Sequence, residues 1–163
     1  MSRTLSFALI LAVLVTPAVA QRVAPAKVAA SVGRVFGAGA RVDTVATARG
    51  SVLRAQRRDS LLGFATVREV RGKDQPITFL VAIDPAGRVL DVDILVYREP
   101  YGGEVAYSSW RRQFRGHTAA DSVRIGKPIR NISGATISTH AVTLGVRTAL
   151  DDLSFLHRTG ALP

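Results

Sequence analysis

Pro76-Ile77-Thr78-Phe79-Leu80-Val81-Ala82-Ile83, then Asp84-Pro85-Ala86-Gly87, then the run from Arg88 to Tyr97 decide the fold. The first run is apolar almost throughout and is a buried-strand candidate. Asp84 to Gly87 is a turn: proline presets φ at its second position, and glycine tolerates positive φ where the next strand starts. In the third run Leu90, Val92, Ile94 and Val96 fall on one face, with Asp91 and Asp93 on the other. Upstream, Leu61 to Arg71 is rich in β-formers and is stopped by Gly72-Lys73-Asp74. Together the three segments predict an antiparallel meander with one face buried.

Working outward, Val28, Val32, Val35 and Phe36 have the spacing of a short amphipathic helix, which Gly37 and Gly39 end. Between Val42 and Arg58 the reading is ambiguous: Val45, Val52 and Leu53 give weak helical periodicity, which Gly50 interrupts. Trp110 and Phe114 share one side of a short helix, and Ser122 to Ile129 reads as a further extended piece. Val142, Val146, Ala149, Leu153 and Leu156 keep one apolar stripe from about Ser138 to about His157, the clearest helix of the chain. The fold class is therefore α+β, an antiparallel sheet packed with a few helices. The expected organisation is an N-terminal helix and connecting segment over 21–60, then one domain over 61–163.

Residues 1–20 read as a cleaved signal peptide. Arg3 precedes an apolar run from Leu5 to Val15, Thr16-Pro17 breaks it, and Ala18-Val19-Ala20 supplies small residues before a cut near Ala20. The run is shorter than the roughly 20 residues of a membrane span; a retained anchor is the competing reading. Localisation is thus expected to be periplasmic or otherwise extracytoplasmic. Cysteine is absent, which excludes disulfides, thioether-linked haem and cysteine metal ligands. His117, His140 and His157 lack ligand spacing, so no metal site is predicted. The net charge of +10 comes mostly from scattered arginines that form no run, so no nucleic-acid partner is predicted; a phosphate-bearing cofactor and an acidic redox partner fit the charge as well.

The segment before the last helix, Ile132-Ser133-Gly134-Ala135-Thr136-Ile137-Ser138-Thr139, combines a small-residue turn with a helix start. Helix N-termini leave backbone N–H groups unpaired and carry partial positive charge, a natural phosphate site. Gly134 and Ala135 admit close approach of a ligand, and Thr136 supplies a hydroxyl beside the phosphate. Ser138 and Thr139 are candidates to cap the helix or bond phosphate oxygens, and Lys127 and Arg130 to supply charge. By itself the tetrapeptide is equally an ordinary capping turn.

Ser133-Gly134-Ala135-Thr136 resembles the flavinylation motif of the FMN-binding domain family, whose members include the C subunit of sodium-translocating NADH:quinone reductase and the G subunit of the Rnf electron-transport complex. A second segment, Glu99-Pro100-Tyr101-Gly102-Gly103 followed by Trp110, Gln113, Phe114 and Gly116, resembles the family's Glu-Thr-Pro-Gly-Leu-Gly loop and its Trp-x-x-Gln-Phe-x-Gly sequel. The resemblance runs from about Leu61 to Leu156. It implies FMN as cofactor, joined by a phosphoester to Thr136, with Ser133, Gly134, Ala135, Ser138, Thr139, Glu99, Tyr101, Gly102, Gly103 and Lys127 around it. Tyr101, Tyr107 and Trp110 are candidates to flank the flavin ring, with the core the competing place for Trp110 and Phe114.

The resemblance further implies a flavin transferase that loads the threonine from FAD, and redox donor and acceptor proteins in a membrane-associated complex. Two departures stand out. Arg130 replaces the family's acid six positions before the threonine, part of what the transferase recognises, and Pro100 and Tyr101 replace the loop's threonine and leucine. The function expected is an exported electron carrier more than a turnover enzyme. A non-redox binding module on the same fold and a small flavin reductase with non-covalent FMN are the rivals.

Overall fold

The structure, a computed structural model, describes residues 23–162, so the signal-peptide expectation and its cleavage point lie outside the described residues. Helix α1 (Pro25–Phe36) leads into five strands, β1 (Arg41–Thr47), β2 (Gly50–Arg57), β3 (Ser60–Arg71), β4 (Pro76–Ile83) and β5 (Val89–Val96). They form one antiparallel sheet in the order β1-β2-β3-β4-β5. A one-turn helix α2 (Ser108–Arg111) and the long helix α3 (Thr136–Arg158) follow. The α+β architecture expected from the sequence is the one observed. Among the described residues, no helix is long and apolar enough to cross a membrane.

The segment from Val42 to Arg58, whose weak helical periodicity left it ambiguous, is not a helix but the β1–β2 hairpin. It pairs with β3, so the sheet runs straight through position 60, where a connecting segment had been expected to end. Its weak pattern has a physical cause: β1 is an outer strand with no buried residue, and the core takes only Val52 and Ala55 from β2. The piece from Ser122 to Ile129 is not a strand; it touches itself through one bridge between Ile125 and Ile129.

The meander holds over β3, β4 and β5, but both of its faces are covered. On one side Phe64, Ile77, Phe79, Val81 and Val92 pack with Val142, Val146, Leu150 and Leu153 of α3 and with Trp110 and Phe114. On the other, Ala65, Leu80, Ala82 and Leu95 pack against Val32 and Phe36 of α1. That is why β4 is apolar at nearly every position, since a strand buried on both faces has no solvent side to alternate toward.

The predicted single apolar face of β5 is corrected. Its register with β4 shifts twice, leaving Leu90 and Leu95 without partners. Each extra residue reverses the alternation, so Val92 and Ile94 join the α3 side while Leu90, Leu95 and Val96 join the α1 side. Asp93 is buried on the α1 side, where it accepts a hydrogen bond from Ser31 at 2.7 Å and pairs with Arg34 and with Arg111 at 3.3 Å. Burying that carboxylate is tolerable because its charge is compensated.

Helix α3 buries the predicted stripe and crosses the sheet at close range. A Cβ on Gly145 would lie 2.6 Å from Phe79 Cζ and 2.7 Å from Val70 Cγ1. Further along, Asp152 takes Arg49 at 2.5 Å and Arg68 at 2.9 Å, tying the helix to the β1–β2 turn and to β3. The long helix is thereby fixed along its length, which sets where its first turn falls. Gly145→Ala discriminates between two effects of opposite sign. Helix propensity would raise stability by about 1 kcal/mol, whereas overpacking would lower it by about 1–3 kcal/mol. The expected outcome is net destabilisation, read as a lower urea midpoint with an unchanged m-value.

Candidate functional site

Thr136 is the first residue of α3, and Ala135 before it offers no side-chain cap. The opening amides of the helix therefore keep the unpaired donors that a helix start leaves. The turn ahead of it closes through Ala135 N–H to Ile132 O at 3.0 Å. Gly134 sits at φ +81° with open space where a Cβ would stand, so this glycine is required by backbone conformation and leaves the approach clear. Thr136 is exposed, and its hydroxyl accepts a hydrogen bond from Asn131 Nδ2 at 3.1 Å.

Two loops face this turn. The first follows β5: Tyr97 Oη donates to Tyr101 O and lies 3.1 Å from Ser138 Oγ. Partial burial raises the Tyr97 pKa, opposed by the Ser138 hydroxyl, so the phenol keeps its proton. Gly102 adopts φ +84°, and a Cβ there would meet Tyr97 Oη at 2.7 Å and Ala135 Cβ at 3.0 Å. The glycine loop is thus pressed against the start of α3, and any side chain at Gly102 would part them.

The second loop is the β3–β4 turn. Glu99 accepts the amides of Asp74 at 2.9 Å and Gln75 at 3.2 Å. Its carboxylate also fills the space beside Gly72, where a Cβ would collide with Oε1. Desolvation acts to raise the Glu99 pKa, but the amides of Asp74, Gln75 and Lys73 and the Lys73 charge outweigh it and hold the carboxyl below its ordinary value. Glu99, expected beside the cofactor, is thus engaged in shaping the β3–β4 turn.

A cleft of about 270 Å³ lies between these elements, lined by Lys73, Asp74, Glu99, Pro100, Tyr101 and residues 134–138. It is small beside ligand pockets of roughly 300–1,000 Å³ and opens to solvent, so it suits one end of a larger group. Tyr101 at 77 % and Ile137 at 52 % exposure flank it with apolar surface.

The sequence-predicted residues divide accordingly. Gly134, Ala135, Thr136, Ser138, Glu99 and Tyr101 meet at the cleft, with Gly102 packed behind. Ser138 and Thr139 are buried, however, and spend their hydroxyls within the protein, Ser138 on Tyr97 and Thr139 on Asn131. Neither is free to grip a phosphate. Ser133, Gly103 and Lys127 are not buried and do not line the cleft. The cation that does is Lys73, which sequence reasoning passed over because it lies far upstream in a turn.

The Trp-x-x-Gln segment has a structural use. Trp110 Nε1 donates to Arg130 O at 2.8 Å, and Gln113 Oε1 accepts the Arg130 amide at 2.9 Å. Both backbone groups of Arg130 are thereby held ahead of the Ser-Gly-Ala-Thr turn. Trp110 also meets Phe114 edge-on at 5.2 Å in the core, so it is a clamp and not a free ring for stacking. Tyr107 is 62 % exposed and lies outside the cleft lining.

Residues 72–151 match the FMN-binding domain family, spanning the β3–β4 turn, the glycine loop, the Trp110 clamp and most of α3. This segment belongs to that family, and FMN is its cofactor. The chain is also similar to the G subunit of the proton-translocating ferredoxin:NAD(+) oxidoreductase complex of Clostridium ljungdahlii, at 31 % identity over 108 residues. The match covers 61 % of this chain and 58 % of that relative, so the chain spans little more than half of the curated relative's length. The site fits the group independently: an uncapped helix start, a glycine with open space, an exposed hydroxyl and a cleft with one cation answer to a phosphate-bearing flavin.

The Glu99 clamp has a pH signature. Because its folded pKa is depressed, its contribution is whole above the unfolded value and is lost as pH falls through the folded one. Amide protection factors at Asp74 and Gln75 should therefore drop on acidification below the ordinary glutamate pKa of roughly 4.3. In Glu99→Gln the drop should vanish; protection that is insensitive to acid in the wild type would contradict the clamp.

Proposed function

We propose that the chain is an exported flavoprotein that carries electrons through FMN, held covalently by a phosphoester at Thr136. The observation that carries this reading is the exposed Thr136 hydroxyl at the uncapped mouth of α3, opening on the cleft within an FMN-binding domain. When bound, FMN supplies one- and two-electron transfer chemistry, while the protein supplies position and environment. The first-turn amides of α3 and Lys73 balance the charge of the phosphodiester. Tyr101 and Ile137 offer apolar surface to the flat ring, and Gly134 leaves its approach open.

Attachment is the work of a separate flavin transferase. Thr136 Oγ1 bonds to the flavin-side phosphorus of FAD, the phosphoanhydride breaks and AMP leaves, while the hydroxyl proton passes to the transferase. Among the described residues the Thr136 hydroxyl is hydrogen-bonded to the Asn131 amide and not to a carboxylate or imidazole, and of the two cleft carboxylates Glu99 is bound to turn amides. Loading by an external enzyme accords with that. Export supports a covalent link, since a released flavin would not be replaced. The likeness to a ferredoxin:NAD(+) oxidoreductase component supports redox partners in a membrane complex.

Mass spectrometry of protein co-expressed with a flavin transferase tests the reading. The Thr136 peptide should gain one FMN less water, and Thr136→Ala should abolish the gain. Flavin that departs on denaturation would instead indicate a non-covalent site, and colourless protein a lost one. Arg130→Asp, restoring the acid of the family motif, should speed loading, because the backbone at 130 is already clamped and only the side chain changes.

A further inference from the structure

Asn131 is not among the residues singled out in the sequence, yet it is the side chain in hydrogen-bond contact with the Thr136 hydroxyl. Its Nδ2 donates to Thr136 Oγ1 at 3.1 Å, and its Oδ1 accepts from Thr139 Oγ1 at 2.5 Å. Thr139 is fully buried and its own amide bonds Ala135 O at 2.9 Å; its hydroxyl also lies 2.9 Å from Thr136 O, but Asn131 Oδ1 is the nearer acceptor, so the acceptor end of the Asn131 amide meets a fixed partner. The donor end is then directed to Thr136. Asn131 itself is anchored from behind, because both backbone groups of Arg130 are held by Trp110 and Gln113.

This arrangement gives the hydroxyl a definite polarity. Thr136 Oγ1 accepts a hydrogen bond from the amide N–H, so one lone pair is occupied and its own proton is directed toward the open side. An ester oxygen still accepts a hydrogen bond, so the same contact survives attachment of a phosphodiester. A carboxylate at 131 would do neither: it has no donor and would set a negative charge beside the anionic diester.

Resting on the reading of Thr136 as the attachment point, we propose that Asn131 is a positioning residue for flavin transfer, holding the Thr136 hydroxyl in one rotamer with its proton outward. The chain of constraint runs from the Trp110–Gln113 clamp through Arg130 to Asn131 and so to the reacting oxygen. Lys73, the cleft cation, lies on the β3–β4 turn and takes no part in it.

The test compares wild type with Asn131→Asp and Asn131→Ala as substrates of a purified flavin transferase with FAD and Mg²⁺, scoring covalent flavin on Thr136 against substrate concentration. Both variants should lose kcat by roughly tenfold, about the worth of one hydrogen bond, with KM little changed. In flavin-free protein, three-bond NMR couplings to the Thr136 methyl should report one χ1 rotamer in the wild type and averaging in the variants. Asn131 is exposed, so melting temperature should stay at the wild-type value. Unchanged kcat in both variants overturns the assignment and leaves attachment at Thr136 intact. So does a rise confined to KM, which would mark a docking contact, or a rate loss matched by loss of folded protein. No flavin on wild-type Thr136 overturns both readings together.

Discussion

The close seating of α3 on the sheet, with the rings and methyls of Phe79 and Val70 against the bare Cα of Gly145, is the constraint from which the site follows. A helix of 23 residues acts as a rigid rod, so fixing its middle and its far end fixes its mouth as well. The stripe from Val142 to Leu156 supplies the apolar burial that holds it down, and Asp152 between Arg49 and Arg68 stops it from sliding. Thr136 is therefore placed by contacts made several turns away.

The loops that complete the cleft each come with their own tie. Glu99 gathers the amides of the β3–β4 turn, Tyr97 joins the glycine loop to Ser138, and the Trp110–Gln113 pair grips the backbone of Arg130. These ties use polar groups whose bonds are satisfied inside the protein, so they specify shape and not ligand chemistry. The groups left over are the ones with chemistry to offer: the first-turn amides of α3, the Thr136 hydroxyl, Lys73 and the exposed faces of Tyr101 and Ile137. Such a division suits a site that must hold a bulky prosthetic group in one orientation while leaving its reactive part accessible.

Legibility in the sequence followed the range of the interactions involved. β3, β4, the Asp84–Gly87 turn and α3 could be read because local periodicity and turn chemistry produce them. β1 and β2 could not, since an outer hairpin contributes only Val52 and Ala55 to the core and so carries almost no pattern. The two faces of β5 were also hidden, because unpaired Leu90 and Leu95 reverse an alternation that looks regular on paper. At the site, the motif pointed to Thr136, Gly134 and the glycine loop. Local sequence could not show that the Ser138 and Thr139 hydroxyls turn inward onto Tyr97 and Asn131, or that Lys73 lines the cleft and Lys127 does not.

What the sequence determined by itself was the class of fold, the strong helix, and the small and hydroxyl residues of the turn that opens it, for these depend on neighbours within a few positions along the chain. What only the tertiary structure decided was which groups remain free once folding has spent the others on one another. Ser138 with Tyr97, Thr139 with Asn131, Glu99 with Asp74 and Gln75, and Arg130 with Trp110 and Gln113 are pairings between separate stretches of chain, and most of them are long-range. A hydrogen-bonding group has a limited number of partners, so its availability to a ligand is settled by what else the fold brings within reach.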